Sequence, residues 1–158
     1  MLTALFDQLE SWPVAAALRT SVTVYPLVTA GHIFGIALLI GAIVPVDLRL
    51  LGVFHRVSLP DLATVLIRFA ATGLGIAAVS GFLLFAVNPH EYAANPAFLT
   101  KISLVAVGTA NALALRVTSG WQRACKGGTI TPGLRASAVV SLAVWPAALI
   151  SGRWIGFL

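Results

Sequence analysis

From residue 22 to residue 46 the chain has no Asp, Glu, Lys or Arg, and nearly charge-free runs recur at residues 63–87, 97–115 and 136–152. A transmembrane helix needs about 20 consecutive apolar residues. A stretch with no polar face cannot lie half-exposed on a soluble domain, so lipid must be its solvent. Composition agrees: charged residues make up 9% of the 158 and mean hydropathy is +0.97, against roughly 25% charged in soluble domains. The predicted fold is all-α, a single transmembrane domain over residues 1–158 built as an integral membrane bundle of four transmembrane helices.

Ahead of the first run, residues 2–10 place Leu2, Leu5, Phe6 and Leu9 at helical spacing. That predicts a short amphipathic interfacial helix rather than a crossing. The stretch lacks the basic start of a cleavable signal and contains Asp7 and Glu10, so it is expected to be retained. Ser11-Trp12-Pro13 reads as a cap, an interfacial anchor and a helix-starting proline. Residues 14–21 read either as a second interfacial turn or as the early part of the first span. Pro26 inside that span predicts a kink, and Asn95-Pro96 predicts an N-cap before the third.

Orientation follows from the cations. Seven (Arg49, Arg56, Arg68, Arg116, Arg123, Lys126 and Arg135) fall toward the first and third connections, and three (Arg19, Lys101 and Arg153) toward the opposite side. The positive-inside rule then makes the first side cytoplasmic and both termini periplasmic in a bacterial inner membrane. The formal charge of +5 does not indicate nucleic acid, because the basic residues are scattered at the ends of apolar runs.

Small residues must let the helices approach, since lipid offers no hydrophobic reward for association. Gly31 and Gly35, with Ala37 and Gly41, supply them on the first span; Gly73, Ala77 and Gly81 on the second; Ala106, Ala110 and Ala114 on the third. Such rows serve packing within the bundle, a homodimer face or larger membrane complex, or a bed for a flat cofactor.

His32 is the residue most suggestive of chemistry. It lies two residues from Phe34, the midpoint of residues 22–46, which is ~3 Å from the membrane centre at about 1.5 Å per residue. An ionisable group at that depth is a functional candidate by default. Ser21, Tyr25, Thr29 and His32 share one helix face, forming a polar stripe that starts at the outer surface.

Three readings follow. His32 is a neutral packing residue bonded to a neighbouring helix. It ligates haem b. Or the stripe lines a quinone pocket, a proton route or a solute path. The cofactor-binding candidates are His32, Thr29, Tyr25 and Gly35, with Arg19, Tyr92, Lys101 and Arg153 as the pocket mouth. Of the remaining histidines, His55 lies in a connection and His90 at the end of the second span, so an intrachain bis-histidine haem is disfavoured, and haem iron at His32 is the only metal considered. Asp47 is expected to form a structural clasp with Arg49, Arg68 or Arg116, and Asn111 to bridge helices. Lys101 and Arg153 are expected to snorkel outward. No HExxH, GxSxG, phosphate loop or intramembrane carboxylate pair is present. Cys125 is the lone cysteine and Met1 the lone methionine.

Several strings carry a resemblance over most of the chain from Ser11 onward: Tyr25-Pro26 with His32 and Gly35, Asp47-Leu-Arg-Leu-Leu-Gly52, Thr72-Gly73, Asn95-Pro-Ala-Phe-Leu-Thr-Lys101, Asn111 and Ser151-Gly-Arg153. They resemble a group of small bacterial inner-membrane proteins without an established activity, distantly similar to the membrane domain of copper-resistance D proteins. The resemblance implies a four-helix membrane fold. Three function classes are carried forward: an accessory or cofactor-binding subunit of a redox system, a small transporter or permeation protein using the stripe, and a purely structural membrane anchor.

Overall fold

The structure, a computed structural model, describes residues 2–157, with the side chain of Leu2 outside that description. Its elements are α1 (Leu2–Glu10), α2 (Pro13–Thr20), α3 (Val24–Leu51), α4 (Leu59–Val87), α5 (Pro89–Ala94), α6 (Pro96–Val117), α7 (Ser119–Ala124), α8 (Pro132–Trp154) and a closing 3-10 turn, Ile155–Phe157. No strand occurs among the described residues. Helices α3, α4, α6 and α8 are long and apolar enough to cross a membrane. The chain is a multi-pass membrane protein, an all-helical bundle preceded by a short helix.

The spans run past their apolar windows, because a helix stops where its backbone is broken rather than where hydropathy falls. α3 continues beyond Val46 through Asp47 and Arg49 to Leu51, and ends where Gly52 takes a left-handed φ of 96°. The Gly52 amide donates to Arg49 O at 3.1 Å and the Val53 amide to Leu48 O at 3.0 Å, the Schellman pattern that satisfies the last carbonyls.

At the other end, α3 begins at Val24, which puts Pro26 in the first turn. A first-turn amide has no intrahelical partner to lose, so the kink expected there does not arise. Pro45 and Pro146 are the interior prolines instead. Residues 14–20 belong to the separate helix α2, with Pro13 at its start.

α3 packs closely against α4 and α8, and α8 against α6, whereas α4 and α6 make little or no close backbone contact. The bundle is therefore two tight pairs, α3–α4 and α6–α8, joined through α3 and α8. Glycines explain the first pair. A Cβ at Gly35 would stand 2.7 Å from Ala77 N, and one at Gly73 2.6 Å from Leu39 N. Of the α3 glycines within the span, Gly35 alone has this role: a Cβ at Gly31 or Gly41 would meet nothing within 4 Å. In the second pair, Gly108 of α6 receives the Trp145 indole, 3.0 Å from a notional Cβ. The alanine row Ala106, Ala110 and Ala114 does not pack in the bundle and is exposed.

Two apolar clusters fill the centre. One, at the end opposite the termini, gathers Val46, Leu50, Leu59, Ala63, Trp121, Ala124, Leu134 and Ala138. The other lies deeper, around Leu39, Ala42, Ala70 and Trp145. At the end holding both termini, α1 and α2 lean on α4 and α5. Phe6 meets Phe85 edge-on, ring centres 6.0 Å apart, and Arg19 donates to Val87 O at 2.9 Å.

Candidate functional site

The longer α3 changes the depth of His32. The midpoint of Val24–Leu51 falls between Ala37 and Leu38, so His32 sits ~8 Å from it, toward the end of the bundle that holds the termini. There it faces α4. A Cβ at Gly81 would lie 3.0 Å from His32 Cε1, so the glycine makes room for the ring. The row Gly73, Ala77 and Gly81 thus beds the α3 backbone and an imidazole, leaving no place on it for a flat cofactor.

Three side chains form a directed chain of hydrogen bonds. Ser80 Oγ donates to Ile76 O at 2.6 Å. With its proton used, that oxygen accepts from His32 Nδ1, 3.1 Å away. His32 Nε2 then carries the lone pair and accepts from Lys101 Nζ at 3.3 Å. The partners themselves select this tautomer, Nδ1–H with Nε2 unprotonated.

Lys101 reaches His32 because of two local features. Asn95 caps α6, its side chain accepting from the Ala97 and Phe98 amides at 2.9 and 3.2 Å, and this fixes the helix start one and a half turns before the lysine. Gly152 of α8 lies beneath the lysine stem: a Cβ there would come 3.4 Å from Cδ, Cε and Nζ. The expected outward snorkelling of Lys101 does not occur; the side chain turns inward.

The other candidates are not gathered at His32. Thr29 Oγ1 donates back to Tyr25 O at 3.0 Å. Ser21 Oγ accepts from the Val24 amide at 3.0 Å, at the start of α3. Gly35 lies at the α3–α4 crossing, its α-carbon against the Ala77 and Gly73 backbone. Tyr25 lies beside Tyr92 at the rim, where Tyr92 also packs on Phe98, ring centres 5.5 Å apart. Burial, followed by the neighbouring Tyr25 and Glu91, pushes the Tyr92 phenol above its usual pKa. Arg19 is occupied by Val87 O and Glu10, and Arg153 lies over the Phe157 ring at 4.5 Å. Of the four mouth residues, Lys101 is the one that hydrogen-bonds His32.

Asp47 is buried, 5% exposed, and its Oδ2 has no hydrogen-bond partner. The expected clasp does not form: no ion pair among the described residues includes Asp47. Arg49, two residues on, is rotated about 200° around the helix and donates to Val57 O. Ser141 of α8 faces the carboxyl instead. Asn111 does bridge helices, donating to Ser137 O at 3.1 Å and accepting from Ser137 Oγ at 2.9 Å.

Haem b does not fit His32 as it stands. Nε2 is occupied by an ammonium, Gly81 backs the ring, and His90 pairs with Asp7 at 2.9 Å at the surface. Among the described residues no group of three His, Cys, Asp or Glu side chains is placed to hold a metal ion.

Ser80 and Gly81 were not singled out by sequence reasoning, although Gly81 was noted in the small-residue row. A serine beside a glycine in the second span was the available signal. No family model matches the chain, no curated protein matches it and no solved structure matches it.

Proposed function

We propose that the chain is a non-catalytic accessory subunit of an inner-membrane redox system that binds a quinone headgroup beside Lys101 and His32, with both termini in the periplasm. One observation carries this reading. The Lys101 ammonium has three N–H donors, gives one to His32, and has no other acceptor among the described residues. Two donors are left in apolar surroundings, where an unmet hydrogen bond is costly. A quinone carbonyl is an uncharged acceptor carried on a lipid-soluble ring, the ligand chemistry that these donors suit in a membrane. Ser80 holds the imidazole so that Nε2 stays directed at the lysine.

The test is extraction of bound quinone from the purified protein, with titration of a short-chain ubiquinone analogue followed by tryptophan quenching. The wild type should carry and bind quinone. Lys101→Met should weaken binding at least tenfold, with the helical circular dichroism unchanged. Unchanged binding by Lys101→Met, or no binding by the wild type, would reduce the Lys101–His32 contact to packing. A Soret band that shifts with dithionite and disappears in His32→Gln would replace quinone with haem.

A further inference from the structure

A second site lies at the opposite end of the bundle and does not depend on the first. Where α6 ends and α8 begins, α7 folds across the gap and leaves a groove of about 430 Å³ lined by Asn111, Leu115, Arg123, Thr131, Leu134 and Ser137 among others. It lies at the ends of two spans, at the depth of the membrane–water boundary.

Its chemistry is one-sided. The groove lining includes Arg123 and no Asp or Glu. Of the cations in this part of the chain, Arg123 lines the groove, and Arg116, Lys126 and Arg135 lie nearby in sequence at the adjoining helix ends. No ion pair among the described residues engages any of them.

Arg123 lines the groove and spends only Nε on the protein, donating to Ser119 O at 3.3 Å; its two terminal nitrogens have no partner among the described residues. Thr131 begins α8 without a side-chain cap bond. Its hydroxyl is held over Gly120, 3.3 Å from where a Cβ would stand. The Asn111–Ser137 pair closes the inner end, and Leu115 and Leu134 give an apolar wall. Ala114, which also lines the groove and is exposed, continues that wall toward the membrane interior.

We infer that this groove binds an anionic phospholipid, its phosphate on the Arg123 guanidinium and the Thr131 hydroxyl and its acyl chain along Ala114 and Leu115. A guanidinium pairs with phosphate in a bidentate fork. Basic pockets between spans are recognised headgroup sites, and the juxtaposed apolar wall favours a lipid over a soluble anion.

The full chain in detergent, titrated with phosphatidylglycerol, phosphatidylcholine or inorganic phosphate and examined by native mass spectrometry, tests this. Phosphatidylglycerol should give one retained adduct at least tenfold tighter than phosphatidylcholine. Arg123→Gln should remove that preference and Arg123→Lys should keep part of it. Thr131→Val, which keeps the shape, should weaken it severalfold. Equal retention of the two lipids, or an Arg123→Gln protein that still prefers phosphatidylglycerol, overturns the inference. Inorganic phosphate held as tightly as the lipid would assign the groove to a soluble anion and overturn it equally.

Discussion

Replacing Gly35 by alanine, and separately Gly31, probes the α3–α4 weld with the same chemical change one helical turn apart. At Gly35 the new methyl carbon would sit 2.7 Å from Ala77 N and 2.9 Å from Gly73 O. Ordinary contact begins at 3.4 Å, so the helices must part by about 0.7 Å at the crossing, the difference between 3.4 and 2.7 Å. A gap of that size forfeits a quarter to a half of each dispersion contact along the interface. The obstructing atoms are backbone and cannot rotate away. Overpacking typically costs about 1–3 kcal/mol, against which alanine returns up to about 1 kcal/mol of helix propensity. With rigid backbone in the way the upper figure of about 3 kcal/mol applies, so Gly35→Ala should lose about 2 kcal/mol net. A methyl at Gly31 meets nothing within 4 Å, so Gly31→Ala should be neutral or gain up to about 1 kcal/mol. Unfolding by SDS in dodecylmaltoside micelles, followed by tryptophan fluorescence, measures both. Equal shifts in the two variants, or a Gly35→Ala protein as stable as wild type, would refute the argument from close backbone approach.

Other substitutions examine polar contacts in the same assay. Arg68→Ala and Arg116→Ala should each change stability by under about 0.5 kcal/mol, and Asp47→Asn should be neutral or stabilising; a loss of 3 kcal/mol or more from Asp47→Asn would reveal a buried ion pair. Asn111→Ala should cost about 1 kcal/mol, and a double-mutant cycle with Ser137→Ala should return a coupling of about 0.6 kcal/mol; zero coupling would mean the reciprocal bonds contribute nothing. Burial raises the Cys125 thiol above its ordinary pKa, which depletes the reactive thiolate. Its alkylation by iodoacetamide should therefore be slower in the folded protein than in SDS near pH 8, the difference narrowing as pH rises, and equal rates at pH 8 would contradict the burial.

The bundle was legible because twenty apolar residues in a row admit few other solutions. The ends of the spans were not, since hydropathy falls at Asp47 while the α3 backbone runs on to the glycine that stops it. The same extension explains the missing clasp: a carboxylate inside a helix faces one neighbour, here Ser141, and nearby arginines in the sequence point elsewhere. Pro26 was misread because the effect of a proline depends on where its helix starts, and the separate helix α2 moves that start to Val24. His32 announced itself as an ionisable group within an apolar run. Its partners did not. Whether Lys101 turns inward or outward depends on Gly152, at the far end of the chain, and Ser80 resembles any serine that bonds back to its own helix.

The glycine crossing leaves an ambiguity that the polar chain resolves. Sliding α3 along α4 by one turn, about 5.4 Å, would bring Gly31 to the place of Gly35, again without a Cβ to obstruct it. At the crossing point itself, steric fit therefore does not distinguish the two registers. The His32–Ser80 hydrogen bond exists in only one of them, and a slip would leave an imidazole without that partner in hydrocarbon. One bond at the edge of the interface acts as a key, selecting a single alignment from a repeating pattern that would otherwise accept its neighbour, as a lone polar residue does in a coiled-coil seam.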